Sequence, residues 1–305
     1  MLFSDYLKSC RLKYNFTQEE LVSSLYTYHD NFSKLDVTTY SRWERGVTQP
    51  SSDKKIDIIN FYQTLCSEVF PCFSHMKKED IEDELCRVSI ANLLGKSKSL
   101  ILNFPSVMME VDDMKIFPVT QSDDLDKILK MAYTLDKELS NNFSPLQEKH
   151  YKQWAQNPNN FFLITEFQNQ FFGMFFTIRL KESIFNKLLN FKMSEDEITE
   201  NDFADFNEIG CNYILSFFAY NDKAATLLIL RYYAHLISHQ EFISEVGVLT
   251  ILEDARKMID KLHLKHYKTD EVTQGTLTSH RASLEEVLIS ESVLKVIFSK
   301  EEKCS

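Results

Sequence analysis

Side chains that could do chemistry are sparse in this sequence. His235 and His239 stand four apart in a stretch of helical periodicity, which would put two imidazoles on one face where a metal could sit. No third ligand of matching spacing lies nearby, so a solvated helix face is the preferred reading and no metal site is expected. Cys211 lacks the local histidine partner that would activate a thiol nucleophile, and reads as packing. The acidic run from Ser194-Glu195-Asp196-Glu197 to Glu200-Asn201-Asp202 lacks the ligand spacing of a calcium loop. It reads as a polar insertion between strands, with the character of a mobile lid. The six cysteines (Cys10, Cys66, Cys72, Cys86, Cys211 and Cys304) include no Cys-x-x-Cys pair, the usage of reduced thiols in a cytosolic protein. Spacing alone yields no catalytic set.

Length and composition bound what must position such residues. A chain of 305 residues exceeds one typical domain, so two units with a connector are expected. Hydrophobic residues at 44% and charged residues at 26% suit a folded chain rather than a disordered one. The 24 phenylalanines supply core and interface mass without indicating a chemistry. Net charge is −11, but residues 1–70 hold eight Lys plus Arg against nine Asp plus Glu, so the acidic excess falls elsewhere. No stretch approaches the ~20 apolar residues of a membrane span, and the start shows no signal-peptide core. A soluble, cytoplasmic protein with no membrane partner is expected.

In the amino-terminal part, apolar residues at 3, 7, 12 and 14 fit a short amphipathic helix. Thr17-Gln18-Glu19-Glu20 forms a capping box opening a second helix to about Leu25. Asp36 caps a third, Val37 to Arg45, which Gly46 ends. Pro50-Ser51-Ser52 opens a fourth, roughly Asp53 to Leu65. The intervening Tyr26 to Leu35 is read as a solvated loop in which His29, Asp30, Asn31 and Lys34 could add contacts.

This punctuation resembles the lambda- and Cro-type, or XRE, helix-turn-helix family. Arg11, Thr17 to Leu21, and Ser41-Arg42-Trp43-Glu44-Arg45-Gly46 followed by Pro50-Ser51 carry the resemblance over about residues 3–65. The resemblance implies that the second helix braces on the DNA backbone and the third enters the major groove. Gln18 would then bond a phosphate, while Val37, Thr38, Thr39 and Arg42 face base edges, Arg42 forking onto a guanine. Tyr40 and Trp43 would be core, and Arg11 with Glu44 an internal ion pair. The loop before the third helix is longer than the family's usual turn.

Residues 71–113 read as a helical connector, with apolar positions at Ile81, Leu85, Val88, Ile90 and Leu94, a stop at Gly95 and a break at Pro105. From Met114 strands alternate with helices. Strands are expected at Met114 to Val119, Phe161 to Phe167, Phe171 to Arg179, Cys211 to Ala219, Val246 to Thr250, Leu264 to Lys268 and Ser292 to Ser299. Helices are expected at Ser122 to Leu139, around Trp154, at Ala224 to Gln240 and at Glu253 to Leu262.

That order resembles the GNAT, or GCN5-related N-acetyltransferase, fold over about residues 114–300. The local wording agrees at Lys115 to Thr120 with Asp123-Asp124, at Phe162 to Glu166 through Gly173 to Phe175, and at Glu253 to Leu262. In that family a basic, glycine-rich turn grips the cofactor pyrophosphate at a helix amino terminus. The matching turn here, Tyr220-Asn221-Asp222-Lys223-Ala224-Ala225-Thr226, has no glycine, and Asp222 would repel phosphate. The resemblance also implies a late-helix tyrosine that protonates the leaving thiolate; Ile259 stands there.

The sequence therefore reads as an α+β two-domain chain: an all-α helix-turn-helix domain (1–70), a connector (71–113) and a mixed α/β acetyltransferase-like domain (114–305). The expected function is a sequence-specific DNA-binding regulator, as a homodimer on a double-stranded operator, with no enzymatic activity and no cofactor. Its carboxy-terminal part would sense a small molecule or partner through Phe172, Phe176, Phe217 and Tyr220. The alternative is an active acyl-CoA-dependent N-acetyltransferase with a DNA-targeting domain.

Overall fold

The computed structural model describes residues 1–66, 68–73, 76–77, 80–81, 85, 114–122, 124–139, 146–168, 170–252, 255–273, 275–290, 293–294 and 297–298. Most of the connector and much of the expected strand at 292–299 lie outside them; Val293, Leu294 and Ile297 are helical. The chain divides into two compact units, residues 1–93 with 288–305, and residues 94–287.

The first unit is helical: α1 (Phe3–Lys13), α2 (Gln18–Tyr28), α3 (Val37–Glu44) and α4 (Ser52–Gln63). The capping box on α2 forms as its residues dictate, Thr17 accepting from the Glu20 amide while Glu20 accepts from the Thr17 amide. Asp36 Oδ1 accepts from the Thr39 amide and starts α3. Gly46, at φ +67°, ends it with paired bonds from Gly46 N to Trp43 O and Val47 N to Arg42 O, a geometry that favours glycine. Helix α2 runs three residues further than its pattern suggests, and the expected solvated loop contains a helical turn at Asp30–Phe32 whose Phe32 is buried. The chain's last described residues pack here too, with the Phe298 ring on Phe3, Tyr6 and Phe70. A helical unit does not by itself establish a separate helix-turn-helix domain.

The second unit is a mixed α/β layer around one seven-stranded sheet. Its strands are β1 (Met114–Pro118), β2 (Phe161–Phe167), β3 (Gln170–Leu180), β4 (Gly210–Ala219), β5 (Ile243–Thr250), β6 (Lys265–Val272) and β7 (Gly275–Ser283), in the order β1-β2-β3-β4-β5-β7-β6. All neighbours are antiparallel except β4 and β5. Helices α5 (Leu125–Leu139), α6 (Glu148–Ala155) and α7 (Glu182–Leu189) supply buried residues to a core on one face with Phe176, Tyr213 and Leu215. Helix α8 (Asp222–Ser238) carries the chain from β4 to β5 and packs Tyr232 on Phe175 from the other face, and α9 (Arg256–Lys261) precedes β6. Most expected elements form within a few residues of their patterns; α7, β7 and a short helix at Leu284–Leu288 are additions.

Candidate active site where β4 and β5 part

Parallel strands cannot share a tight turn, so β4 and β5 are joined by a crossover helix and pair only while their twists agree. Their register runs from Gly210 with Ile243 to Ile214 with Val248. Beyond it, Phe217, Phe218 and Ala219 of β4 pair only with β3, and Leu249 and Thr250 of β5 only with β7. The sheet therefore forks, leaving the edges of Leu215–Ala219 and Leu249–Thr250 without each other.

A phenol lies at the base of this fork. Tyr213, opposite Gly247 and one residue before the last pair, donates its hydroxyl to Glu195 Oε1 at 2.5 Å. Its oxygen is also influenced by the backbone amide of Leu249, the first residue past the pairing. A side chain at 247 would meet Phe185 Cζ at 2.6 Å, so glycine there lets α7 press on the sheet beside Tyr213. Glu195 comes from the acidic insertion. Two short helical turns, Glu195–Glu197 and Glu200–Asp202, pin that insertion through reciprocal bonds at Ser194 and Thr199, with Ile198 and Phe203 in the core. The segment is thus built in rather than loose.

Burial pushes the Glu195 carboxyl up to about 7, with Asp136 of α5 and Asp196 adding negative charge, while the Tyr213 hydrogen bond pulls the other way. Glu195 is half-buried as a residue, and its carboxyl bears the cost of burial. Burial, then Glu195, raises the Tyr213 phenol well above its ordinary range, and Tyr151 of α6 rises for burial and Asp136. A carboxyl poised near neutrality is the property of a proton-transferring group. Sequence reasoning passed over it because its partners lie 18 and 59 positions away; only the acidic run was visible.

The candidates chosen from sequence scatter. Phe176 is fully buried and stacks on Phe162 at 4.4 Å, whereas Phe217 meets Phe175, the neighbour whose side chain takes the opposite face. Phe172 and Tyr220 meet at 5.1 Å, with Tyr220 43% exposed. These four do not line one cleft. In the helical unit, Thr38 and Arg42 are exposed, Val37 and Thr39 half-buried, and Tyr40 and Trp43 buried. Gln18 donates to Glu44 Oε2 at 2.6 Å, joining the Arg11–Glu44 pair, rather than standing free for a phosphate. Asn31 bonds Asp57 at 2.6 Å. His235 is buried, 4.6 Å from the Phe161 ring and 4.4 Å from His239, so that helix face is packed rather than solvated. Among the described residues no cluster could hold a metal, and Cys10, Cys66, Cys72 and Cys211 are free thiols.

The turn opening α8 fits a diphosphate poorly. The Ala224 amide is taken by Asn221 Oδ1 at 2.8 Å, and the Tyr220 amide by the Phe172 carbonyl at 2.8 Å. Asp222 Oδ1 is enclosed, with no hydrogen-bond partner among the described residues. The nucleotide end of CoA, which the GNAT resemblance implies, does not suit these residues. Ile259, at the position of the family's tyrosine, is buried and has no proton to give.

No family model and no curated sequence matches the chain. Among solved structures, FeeM, an N-acyl amino acid synthase from uncultured soil microbes, is similar at 8% identity and TM-score 0.39, over 56% of this chain and 90% of that one. An acetyltransferase from Streptococcus agalactiae 2603 is similar at 10% identity and TM-score 0.38, over 56% and 98%. The AHL synthase LasI is similar at 13% identity and TM-score 0.38, over 61% and 94%. These structures are similar over little more than half of the chain, and the XRE resemblance gains no support from them. The expectation of a chain without enzymatic activity is corrected to this extent: the similar solved structures are named as enzymes. Among the described residues no helix is long and apolar enough to cross a membrane.

Proposed function

We propose that the carboxy-terminal unit catalyses acyl transfer from a thioester to an amine at the β4–β5 fork. The observation that carries this is the Tyr213–Glu195 pair beneath the opened strands. Backbone polar groups freed where the pairing ends can hold an extended thioester arm, as a strand edge holds a peptide. Glu195 receives the proton of the attacking amine through the Tyr213 hydroxyl as the nitrogen–carbonyl bond forms. The carbon–sulfur bond then breaks, and the proton held near pH 7 returns downhill to the thiolate, whose ordinary value is higher. The net change is one amide formed and one thiol released.

The test is thiol release from acyl-thioesters by the full chain across a panel of amines. Amine-dependent release that falls by about 100-fold or more in Glu195→Gln is expected for a general base. Release unchanged in that variant, or absent with every thioester, refutes the reading.

A second reading concerns the amino-terminal unit: DNA binding by α3 in a homodimer. It is favoured by the exposed Thr38 and Arg42, four apart on α3 opposite the buried Tyr40 and Trp43. Arg42→Ala should weaken binding to a selected duplex by about 1–3 kcal/mol without changing stability. Undiminished binding in that variant removes the reading.

A further inference from the structure

We infer that the acyl donor is a pantetheine-type thioester that presents no diphosphate to the start of α8. The inference rests on the acyl-transfer reading and names the donor class of the same site. A diphosphate at a helix amino terminus needs free amides converging on it and no competing negative charge. At α8 the chain supplies its own acceptors instead. Asn221 Oδ1 takes the Ala224 amide, and the Phe172 carbonyl takes the Tyr220 amide.

The same turn carries the half-buried Asp222, whose carboxylate can only accept and adds a competing negative charge at the helix start. Its enclosed Oδ1 has no partner among the described residues, so a second anion would add repulsion there. The Tyr220 ring of this turn packs on Phe172 at 5.1 Å, and Lys223 is the turn's single cation. The fork below is untouched by these features. A thioester arm with nothing charged at its far end can still lie along Leu215–Ala219, the strand edge that follows the buried Tyr213.

Loss of the phosphate cradle therefore marks a change of donor rather than loss of the reaction. The same arm can come from a free small molecule or from a carrier protein that bears it, and the two are separable by rate.

The test uses the full chain with three probes in calorimetric titration: CoA, pantetheine and the nucleotide half of CoA. Thiol release is measured in parallel from one acyl group on CoA, on pantetheine and on a carrier protein. CoA and pantetheine should bind within about threefold of each other, with no binding of the nucleotide half. Asp222→Asn should tighten CoA alone, by about tenfold, leaving pantetheine unchanged. Faster release from the carrier-borne thioester assigns the donor to a carrier, and equal rates to the free arm; both support the inference. Wild-type preference for CoA by about tenfold or more, with the nucleotide half competing, overturns it while thiol release keeps acyl transfer standing. Failure of both CoA and pantetheine to bind, with no release, overturns both.

Discussion

Replacing Glu195 by glutamine should make the folded chain more stable in alkali and change it little in mild acid. The reason is the cost of ionising a carboxyl that the fold encloses. In the unfolded chain Glu195 titrates near its ordinary 4.5, and in the folded chain near 7. The folded state therefore holds the proton more tightly, so the stability due to the protonated group is fully present below about 4.5 and lost as pH rises through about 7. At ~1.4 kcal/mol for each tenfold difference in proton affinity, the full loss is about 3 kcal/mol. Glutamine keeps an acceptor for the Tyr213 hydroxyl and never ionises. The assay is urea unfolding at about pH 5 and about pH 8.5, followed by Trp154 in a Trp43→Phe background so that the other unit stays silent. The gap in favour of Glu195→Gln should widen by about 2–3 kcal/mol between the two conditions. A gap that stays constant, or that narrows as pH rises, would refute the buried-carboxyl argument, because any loss from the new amide is independent of pH.

Two further perturbations test the packing that holds these parts. Gly247→Ala places a methyl against Phe185 Cζ and Leu189 Cδ1 and should cost about 1–3 kcal/mol in urea unfolding, with parallel loss of thiol release; a neutral result would mean that α7 can retreat. Thr17→Ala removes the side-chain half of the α2 capping box and should cost the helical unit about 1 kcal/mol, read from Trp43 fluorescence; no loss would show that Glu20 alone caps the helix.

What the sequence discloses depends on how far apart the cooperating residues lie. The α2 start is legible because Thr17 and Glu20 satisfy each other within one turn. Gly46 is legible because a left-handed residue after a helix favours glycine. Between the expected strands β2 and β3, Gln168 turns the chain at φ +50°. Helix α7 was within reach, since Ile184, Phe185, Leu188 and Leu189 carry a helical apolar stripe, but it hides behind the longer β3 run. The fork was out of reach: nothing in β4 or β5 marks where their pairing stops, because each strand is also held by its other neighbour, β3 or β7. Arg11 and Glu44 were found across 33 positions only through a family likeness; Gln18 as a third member of that pair was not.

The two departures from the GNAT pattern, Ile259 and Asp222, together argue from the sequence against a working transferase. Taken with the fork they have a different meaning. A reaction that releases a thiol needs a proton at the sulfur and a base at the nitrogen, and one group can serve both if its affinity for the proton lies between theirs. Glu195, held near 7 by burial and by Asp136, meets that condition, so a tyrosine at 259 is not required. A diphosphate contact adds binding that is the same before and during reaction, and such contact can be dropped without touching the chemical step. Under this argument the insertion carrying Glu195 is the element to vary. Shortening 194–202 should abolish acyl transfer even where the sheet folds unchanged, whereas changes at 220–223 should alter only which donor is used.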